Sequence, residues 1–553
     1  MHNPRTTPRF SVFYDYRIHP FRRPPEMEGA APRHDVVIVG AGPVGMVLAL
    51  LLARAGVASV LIEAEAQVSL GSRAVALTRR SMEIVQQARA DAPFVENGYG
   101  WSSGRSFYAG REVFRMALPD DPDERFPPVL NNSQQYWEEY LIDAIAREPL
   151  VDLRWQTAFH SLAEDGEGVT ARLDTPEGEY DIRARWLVAA DGGRSAVRHF
   201  LGLRMEGQAY AGKFVITDFV SADFDMPTER LCYFDPDWNP GNNVLVHRQP
   251  NNVWRFDYRL PDGEDPEEAL KPETIALRTR RIMEMVLGRE VPWTLDWASV
   301  YSPNTRTLPD YRHGHVLFVG DAAHLLPIFG IRGANTGLQD AENLGWKLAA
   351  VLRGRAGDGL LDSYSHERVA AAREICDEAG KSTRLMDPPT RGYRVMRAVI
   401  LSFAYTEDFC RPMLHWRTSR PHDHADSVLN APESDPFAGG IAPGSVARNL
   451  RLGPGEYLFD HFGYGFTLLL IGGAADGADA AALKARWPDL RVVALGAAVT
   501  GADVGRPAPA TAFEKYGVEG AATYLLRPDL HVCGRWQGLA PEAAGAALAR
   551  ILR

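Results

Sequence analysis

Cysteine is scarce in this chain: four residues in 553, Cys232, Cys376, Cys410 and Cys533. None falls in a Cys-x-x-Cys or metal-ligand spacing, so there is no sequence case for zinc or an iron–sulfur centre, and a redox disulfide beside a cofactor is excluded. Free, buried thiols are the default reading. Basic residues are outnumbered, 60 Lys and Arg against 71 Asp and Glu, and the net charge of −11 gives nucleic-acid binding no electrostatic support. Long apolar runs are missing too. The most apolar stretch, residues 43–53, is too short to cross a bilayer. Residues 1–34 carry scattered Arg, Pro and Tyr but no apolar core of a secretory signal. The expectation is a cytoplasmic protein with neither a membrane nor a nucleic-acid partner, without internal repeats or low-complexity tracts. Its hydrophobic content of 45% supplies sizeable cores, and its length suggests roughly two to four domains.

What is present is punctuated by glycine. The apolar run His34-Asp35-Val36-Val37-Ile38-Val39 reads as a buried parallel strand, followed by Gly40-Ala41-Gly42-Pro43-Val44-Gly45 and an apolar helix to Ala53. Gly40 permits the tight turn, Gly42 lets the backbone approach a pyrophosphate, and Gly45 lets helix and strand pack closely. A second strand, residues 58–62, ends in Glu63, at the spacing where an acidic side chain takes ribose hydroxyls. Far downstream, residues 315–349 (HVLFVGDAAHLLPIFGIRGANTGLQDAENLGWKLA) run from a strand through Gly320-Asp321 and a Pro/Gly loop into a helix that starts near Gly333. A carboxylate at a strand end accepts hydrogen bonds from ribityl hydroxyls. A helix start offers unpaired N–H groups and the positive end of a dipole. A flavin uses both features, because its pyrimidine edge becomes anionic on reduction. The two segments read as two halves of one flavin site.

Together these residues resemble the class A FAD-dependent aromatic hydroxylases, the para-hydroxybenzoate hydroxylase and phenol hydroxylase group of single-component flavoprotein monooxygenases. Three motifs carry the resemblance: the fingerprint at residues 40–45, the Asp-Gly motif in WLVAADGGRSAVR at residues 186–198, and Gly320-Asp321. Gly71-Ser72-Arg73-Ala74 matches the family's flavin-contacting arginine loop, and Gln135 with Glu139 its Gln-x-x-x-Glu helix start. The match is strong over residues 34–350 and looser to the C-terminus. It implies an α/β fold: a Rossmann-like FAD-binding domain, an inserted β-sheet substrate domain and a C-terminal thioredoxin-like domain, here without an active disulfide and so structural or dimer-forming. It implies FAD held by Gly40, Gly42, Pro43, Val44, Gly45, Glu63, Arg73, Gln135, Asp191, Asp321, Gly333, Ala334 and Asn335. NADH or NADPH would dock transiently near the Asp-Gly region, since no second Gly-x-Gly-x-x-Gly exists. Asp191 alone also reads as a plain strand-end turn; Arg194, Ser195 and Arg198 at the family spacing favour the cofactor reading, the arginines setting positive charge near phosphates. After GDAAH the family's usual Pro-Pro-x-Gly-Gly-Gln-Gly-x-Asn is replaced by Pro327-Ile328-Phe329-Gly330-Ile331-Arg332-Gly333-Ala334-Asn335. Arg332 either stabilises an anionic reduced flavin or faces solvent or an acid.

The chain divides into an N-terminal extension at 1–33, the first half of the FAD-binding domain at 34–205, the substrate sheet at 206–305, the return to the flavin with a helical segment at 306–430, and the thioredoxin-like unit at 443–553. The extension is expected on the surface or in a subunit contact, which leaves room for a homodimer. In the sheet, residues 243–247 and 253–258 alternate; a period of two puts Arg255 and Asp257 on one face and Trp254, Phe256 and Tyr258 on the other. The aromatic face is expected to line the substrate pocket. Arg255 is expected to grip a substrate carboxylate or to pair with Asp257, and His247 is placed for a proton relay. His247, Arg255 and Tyr258 are therefore the candidate catalytic residues, set against core or surface roles as the commoner fate.

The resemblance implies that NAD(P)H reduces FAD, that O2 adds at flavin C4a, and that the hydroperoxide transfers one oxygen to a phenolic or otherwise activated ring. The cofactor carries the hard chemistry. The protein must exclude water, hold the ring in place and polarise or deprotonate a phenol. Two alternatives stand beside this reading. One is another flavoenzyme on the same fold, a dehydrogenase or a halogenase, the latter disfavoured because no Trp-x-Trp-x-Ile-Pro segment occurs. The other is a non-catalytic FAD-fold binding protein, against which Asp321 and the glycine-rich helix start argue.

Overall fold

Val36, Val37, Ile38 and Val39 are buried on both faces of a central strand, β1 (Arg33–Val39), which is why an unbroken apolar run rather than an alternating one occurs here. β1 pairs in parallel with β2 (Ser59–Ile62) and with β4 (Gly178–Ala189); β3 (Val151–Arg154) and the strand Val316–Phe318 extend the parallel sheet outward. The structure is a computed structural model that describes residues 2–29, 32–327, 329–414, 418–433, 436–473 and 480–552; Ile328 of the departing loop lies outside them. Helix α1 (Pro43–Arg54) follows β1 and is apolar almost all round because it is clasped between the sheet and a later helix, Gly333–Leu352. Gly337 makes that clasp possible: a Cβ there would stand 2.7 Å from Val44 Cγ2.

The second layer is a seven-stranded sheet. From one edge it runs β9 (Thr294–Tyr301), β5 (Phe214–Val220), β8 (Val253–Arg259), β7 (Asn243–Arg248) and β6 (Arg230–Phe234). Two strands from earlier in the chain, Ser103–Tyr108 and Arg111–Ala117, complete it. The sheet expected at residues 206–305 thus takes two strands from outside that range. Its first hairpin turns through Ala109 and Gly110, both at positive φ, a tight turn that carries no Asn-Gly signature.

The faces of this sheet correct one sequence expectation. Trp254, Phe256 and Tyr258 pack with Val215, Phe219, Val244 and Val246 beneath Ile282 and Met283 of α3 (Pro272–Leu287). They form the core between sheet and helix, not the roof of a pocket. The opposite face carries Phe214, Cys232, Phe234 and Leu245, which meet Phe329 of the Pro/Gly loop and the helices Leu360–Met386 and Arg391–Phe403. An aromatic face demands an apolar cover, and α3 supplies it.

The last unit has a sheet ordered Val504–Arg506, β11 (Arg491–Leu495), β10 (Thr467–Gly472), β12 (Ala521–Leu526) and β13 (Val532–Gln537). β10 and β11 are parallel, β12 pairs antiparallel with β10, and β13 antiparallel with β12. Cys533 sits buried in β13, donating to the Leu525 carbonyl at 3.3 Å, and Cys232 and Cys410 are buried too, whereas Cys376 is half-exposed. The unit is tied to the FAD-domain helices by buried charges: Arg527 donates to both oxygens of Glu367 (2.8 and 2.9 Å), Lys347 to Glu367 (2.8 Å), and Trp346 to Asp529 (2.9 Å).

The N-terminal extension lies against its own chain. Tyr14 donates to Glu139 at 2.5 Å, and Arg9 donates through its backbone to Gln67 at 2.9 Å. The Tyr16 hydroxyl donates to the Ser69 carbonyl and accepts from Gly71 N–H. Among the described residues no helix is long and apolar enough to cross a membrane.

Candidate active site

At the C-terminal end of β1 the chain turns sharply. Gly40 has φ +105°, and a Cβ there would stand 2.6 Å from the Ala190 carbonyl oxygen; a Cβ on Gly45 would overlap the Gly40 carbonyl. These two glycines are required by protein packing. Gly42 differs: no protein atom lies within 4 Å of its Cβ direction, so packing within the fold does not require a glycine there. Pro43 and Val44 open α1; Pro43 carries no N–H, and the first intrahelical bond runs from Met46 N–H to the Gly42 carbonyl, so the amides of Val44 and Gly45 lie ahead of it. Glu63, at the end of β2, accepts from Ala41 N–H (2.9 Å) and Glu65 N–H (3.0 Å); burial pushes its carboxyl up from the ordinary value.

The loop 71–74 is held rigidly. Ser72 Oγ donates to the Ala74 carbonyl (2.7 Å) and accepts from Gln134 N–H (3.0 Å), and Gln134 Oε1 accepts from the amides of Arg73 and Ala74. The Arg73 side chain remains exposed. Gln135, the next residue of α2 (Gln134–Ile145), is fully buried beside Tyr16, with neither side-chain atom in a hydrogen bond of normal geometry. An amide left that way awaits a partner.

Asp321 sits on a single 3-10 turn, Gly320–Ala322. Its carboxyl is accessible to solvent yet ringed by protein, which places it on a cleft wall; desolvation raises its pKa while His324 and Arg73 oppose the rise. A buried triad steadies the turn: Asp340 accepts from Gly320 N–H (3.0 Å), His324 (2.7 Å) and Arg368 (2.7 Å). In α4 (Gly333–Leu352) the first intrahelical bond runs from Thr336 N–H to the Arg332 carbonyl, so the amides of Gly333, Ala334 and Asn335 lie ahead of it. Open space surrounds the Cβ direction of Gly333. The Asn335 side chain is not available to a ligand: it accepts from Thr78 N–H and Ser81, and donates to the carbonyls of Ala76 and Ile331. Arg332 is buried and lines a crevice with Glu374, Ile375 and Glu378.

The Asp-Gly motif is more structural than expected. Asp191 accepts from Val197 N–H at 3.1 Å in the first turn of a short helix capped by Ser195, its second oxygen unpartnered. Arg198 donates to the carbonyls of Ala322 (2.9 Å) and Gly193 (2.6 Å), stapling this motif to the Gly-Asp turn rather than facing phosphates, while Arg194 is exposed.

Above the Pro/Gly loop lies the polar face of the second sheet. Register places Asp218, Arg255 and His247 in one row, Ile216, Asp257 and Leu245 in the next, and Tyr301, Phe214, Arg259 and Asn243 in the third. Arg255 does not pair with Asp257. Its Nε and Nη2 donate to Asp218 (2.8 and 2.7 Å), and Nη2 also donates to the Ser72 carbonyl, joining the sheet to the arginine loop. Those bonds leave it poorly placed to grip a carboxylate. His247 is held neutral, its pKa pushed down to about 3 by burial and by Arg230 and Arg255. Tyr258 points into the opposite core and is removed from the candidate catalytic set. Asp257, Asp218 and Tyr301 are the residues missed. The alternation had marked the face; only the apolar stripe of α3 (Ile275, Ile282, Met283) told which side it turned to.

Orphaned buried atoms at Gln135, Asp191 and His324, the space at Gly42 and Gly333, and the carboxylates at two strand ends fit an extended dinucleotide with a flavin at the α4 end. Comparison with known proteins agrees. The sequence model of the FAD binding domain family matches residues 33–379. A 3-(3-hydroxy-phenyl)propionate/3-hydroxycinnamic acid hydroxylase of Mycolicibacterium smegmatis is 31% identical over 411 residues, 73% of this chain and 70% of that protein. Other curated relatives are matched over 61–64% of their length. The flavin-dependent monooxygenase PieE, solved with FAD and substrate, superposes with a TM-score of 0.75 at 25% identity, covering 95% of this chain and 100% of that one. Aklavinone-11 hydroxylase, solved with FAD and aklavinone, gives 0.72 at 26% identity over 94% and 99%.

Proposed function

The chain belongs to the FAD-dependent aromatic hydroxylase family, and on that premise we propose that it hydroxylates a phenolic ring with O2 and NADH or NADPH. FAD supplies the redox chemistry and the oxygen activation. One observation carries the reading: the sheet face bearing Asp257, His247 and Tyr301 turns toward the loop that would hold the flavin, where Phe329 meets Phe214 edge-on at 5.1 Å and Phe214 stacks on Tyr301 at 5.5 Å. These rings pack on one another and tie the flavin-side loop to the sheet, so that a phenol bound beside the flavin would present its hydroxyl to the polar row. Gly40, Gly42, Pro43, Val44, Gly45 and Glu63 hold the adenosine and pyrophosphate half of FAD. Arg73, Gln135, Asp321 and the amides at residues 333–335 hold the ribityl and flavin half, and Asp191 steadies the turn beside them. His247 and Arg255 position neighbours rather than react. The curated relatives are named for phenylpropionate and cinnamate substrates, and aklavinone-11 hydroxylase for a polycyclic one. The substrate class proposed here is the feature those names share, a hydroxylated ring. The test is a panel of simple phenols, hydroxybenzoates, hydroxyphenylpropionates and polycyclic phenols given to the FAD-loaded protein. At least one should accelerate NAD(P)H oxidation and yield a ring-hydroxylated product. No acceleration by any of them overturns the proposal.

A further inference from the structure

We propose that Asp257 takes the proton of the substrate's phenolic hydroxyl, and that the Tyr301 hydroxyl donates to the phenolate oxygen so formed. This rests on the hydroxylase reading above and names a residue for it.

Asp257 occupies the middle of the flavin-side face, on β8, and is 3% exposed. The rows on either side of it are spent on structure. Arg255 is bonded to Asp218 and the Ser72 carbonyl; Arg259 donates to Asp387 (2.7 Å), Asn242 (2.8 Å) and Asp262 (2.8 Å). Among the carboxylates of this face Asp257 keeps an oxygen unengaged: Oδ1 has no partner, while Oδ2 lies 3.7 Å from His247 Nε2; the other orphaned oxygen, Asn243 Oδ1, belongs to an amide and cannot act as a base. The Tyr301 hydroxyl is likewise buried without a partner, and the charge of Asp257 acts on it. A buried carboxyl oxygen and a buried hydroxyl, both orphaned on the face turned toward the flavin loop, are a site for a group that donates one hydrogen bond and accepts another. A phenol does both.

The groups facing Asp257 are Arg255 on its own strand, Asp218 on β5, His247 on β7 and Tyr301 on β9, with Arg230 behind His247 and Asp387 behind Tyr301. Burial pushes the carboxyl up to about 7, with Arg255 opposing and Asp218 adding to the rise. A base of that strength exchanges protons near neutrality. His247 stays neutral throughout and is a poor acceptor. The proton moves from the phenol oxygen to Oδ1, and the electron pair stays on that oxygen and enriches the ring carbons ortho and para to it. After one of those carbons gains oxygen, its own hydrogen leaves as a proton to water, the C–H electron pair returns to the ring as aromaticity is regained, and Asp257 returns its proton to the original oxygen.

The test uses FAD-loaded wild type, Asp257→Asn, Asp257→Glu and Tyr301→Phe, with a substrate from the panel and with 4-nitrophenol, whose absorption reports its ionisation. At about pH 7.5, where Asp257 is mostly ionised before the ligand binds, the wild type should bind 4-nitrophenol as the phenolate with the proton passed to Asp257, Asp257→Asn should bind it as the neutral phenol, and Tyr301→Phe should bind it with its pKa raised. Turnover by Asp257→Asn should fall by about 100-fold or more and lose the rise with pH near neutrality, and Asp257→Glu should recover part of both. Phenolate binding and an unchanged pH profile in Asp257→Asn overturn the proposal. If Asp257→Asn fails to fold, an unshifted bound pKa in Tyr301→Phe overturns it. Should no phenol stimulate the wild type, the hydroxylase reading fails, whereas the state of bound 4-nitrophenol still decides the role of Asp257.

Discussion

Gly40, Gly42 and Gly45 belong to one sequence motif but answer to different forces. Gly45 is fixed by the fold, because a methyl group there overlaps the Gly40 carbonyl; nothing of the protein fills the side-chain direction of Gly42, so on the proposed function its glycine answers to the FAD pyrophosphate instead. Gly45→Ala should therefore lower the melting temperature of the FAD-free protein, while Gly42→Ala should leave it unchanged and weaken FAD binding. Equal melting temperatures for the two FAD-free variants would contradict that division. Asp321→Ala should remove charge-assisted hydrogen bonds of about 1.5–3 kcal/mol each, raising the dissociation constant of FAD in a fluorescence titration by roughly 10-fold or more; wild-type affinity would remove Asp321 from the cofactor site. Much of this scale was legible in the chain. Gly40, Glu63 and Asp321 fall at strand ends because a parallel sheet delivers its loops there. Arg198 is marked by its motif but its role was not legible: the family spacing puts it near phosphates, whereas its partners are the carbonyls of Gly193 and Ala322, and a backbone acceptor leaves no signature in the sequence.

Strands and helices were more legible in kind than in orientation. A period of two separates Arg255 and Asp257 from Trp254, Phe256 and Tyr258, yet it is symmetric and does not say which side meets the flavin. α3 resolves the choice by covering the aromatic side. Phe256→Ala or Trp254→Ala should consequently act on stability, by about 3–5 kcal/mol in urea unfolding for a buried aromatic. In the folded fraction the ratio of hydroxylated product to NAD(P)H consumed should stay at the wild-type value. Uncoupling by either variant without loss of stability would return the aromatic face to the substrate pocket. The hairpin Ser103–Ala117 escaped the sequence reading because its turn is Ala-Gly and its strands join a sheet whose other members lie a hundred residues later.

At the scale of the whole molecule, buried charges lock the C-terminal unit to α4 and to the helix Leu360–Met386. Glu367 and Asp529, each surrounded by Arg527 and other donors, are held far below the ordinary carboxyl range by those cations and hydrogen bonds acting against burial. Depressed carboxyls stabilise the fold fully above their unfolded values of about 4. That stability is lost as the pH falls below this toward the depressed values. Glu367→Gln should destabilise the protein by about 3–5 kcal/mol at pH 7, because it strands buried cations, and should flatten acid unfolding between about pH 4 and 2. An acid-unfolding curve identical to wild type would mean that the unit docks by other means. No motif announced this network, since its members are spread over residues 343–529 and meet only in the fold. The central claim, that one atom of O2 enters a phenolic ring on this FAD cradle, is tested most directly by turnover under isotopically labelled O2. One labelled oxygen in the new hydroxyl for each NAD(P)H consumed is the expected result; label drawn from water, or every reducing equivalent recovered as hydrogen peroxide with the best substrate of the panel, would contradict it.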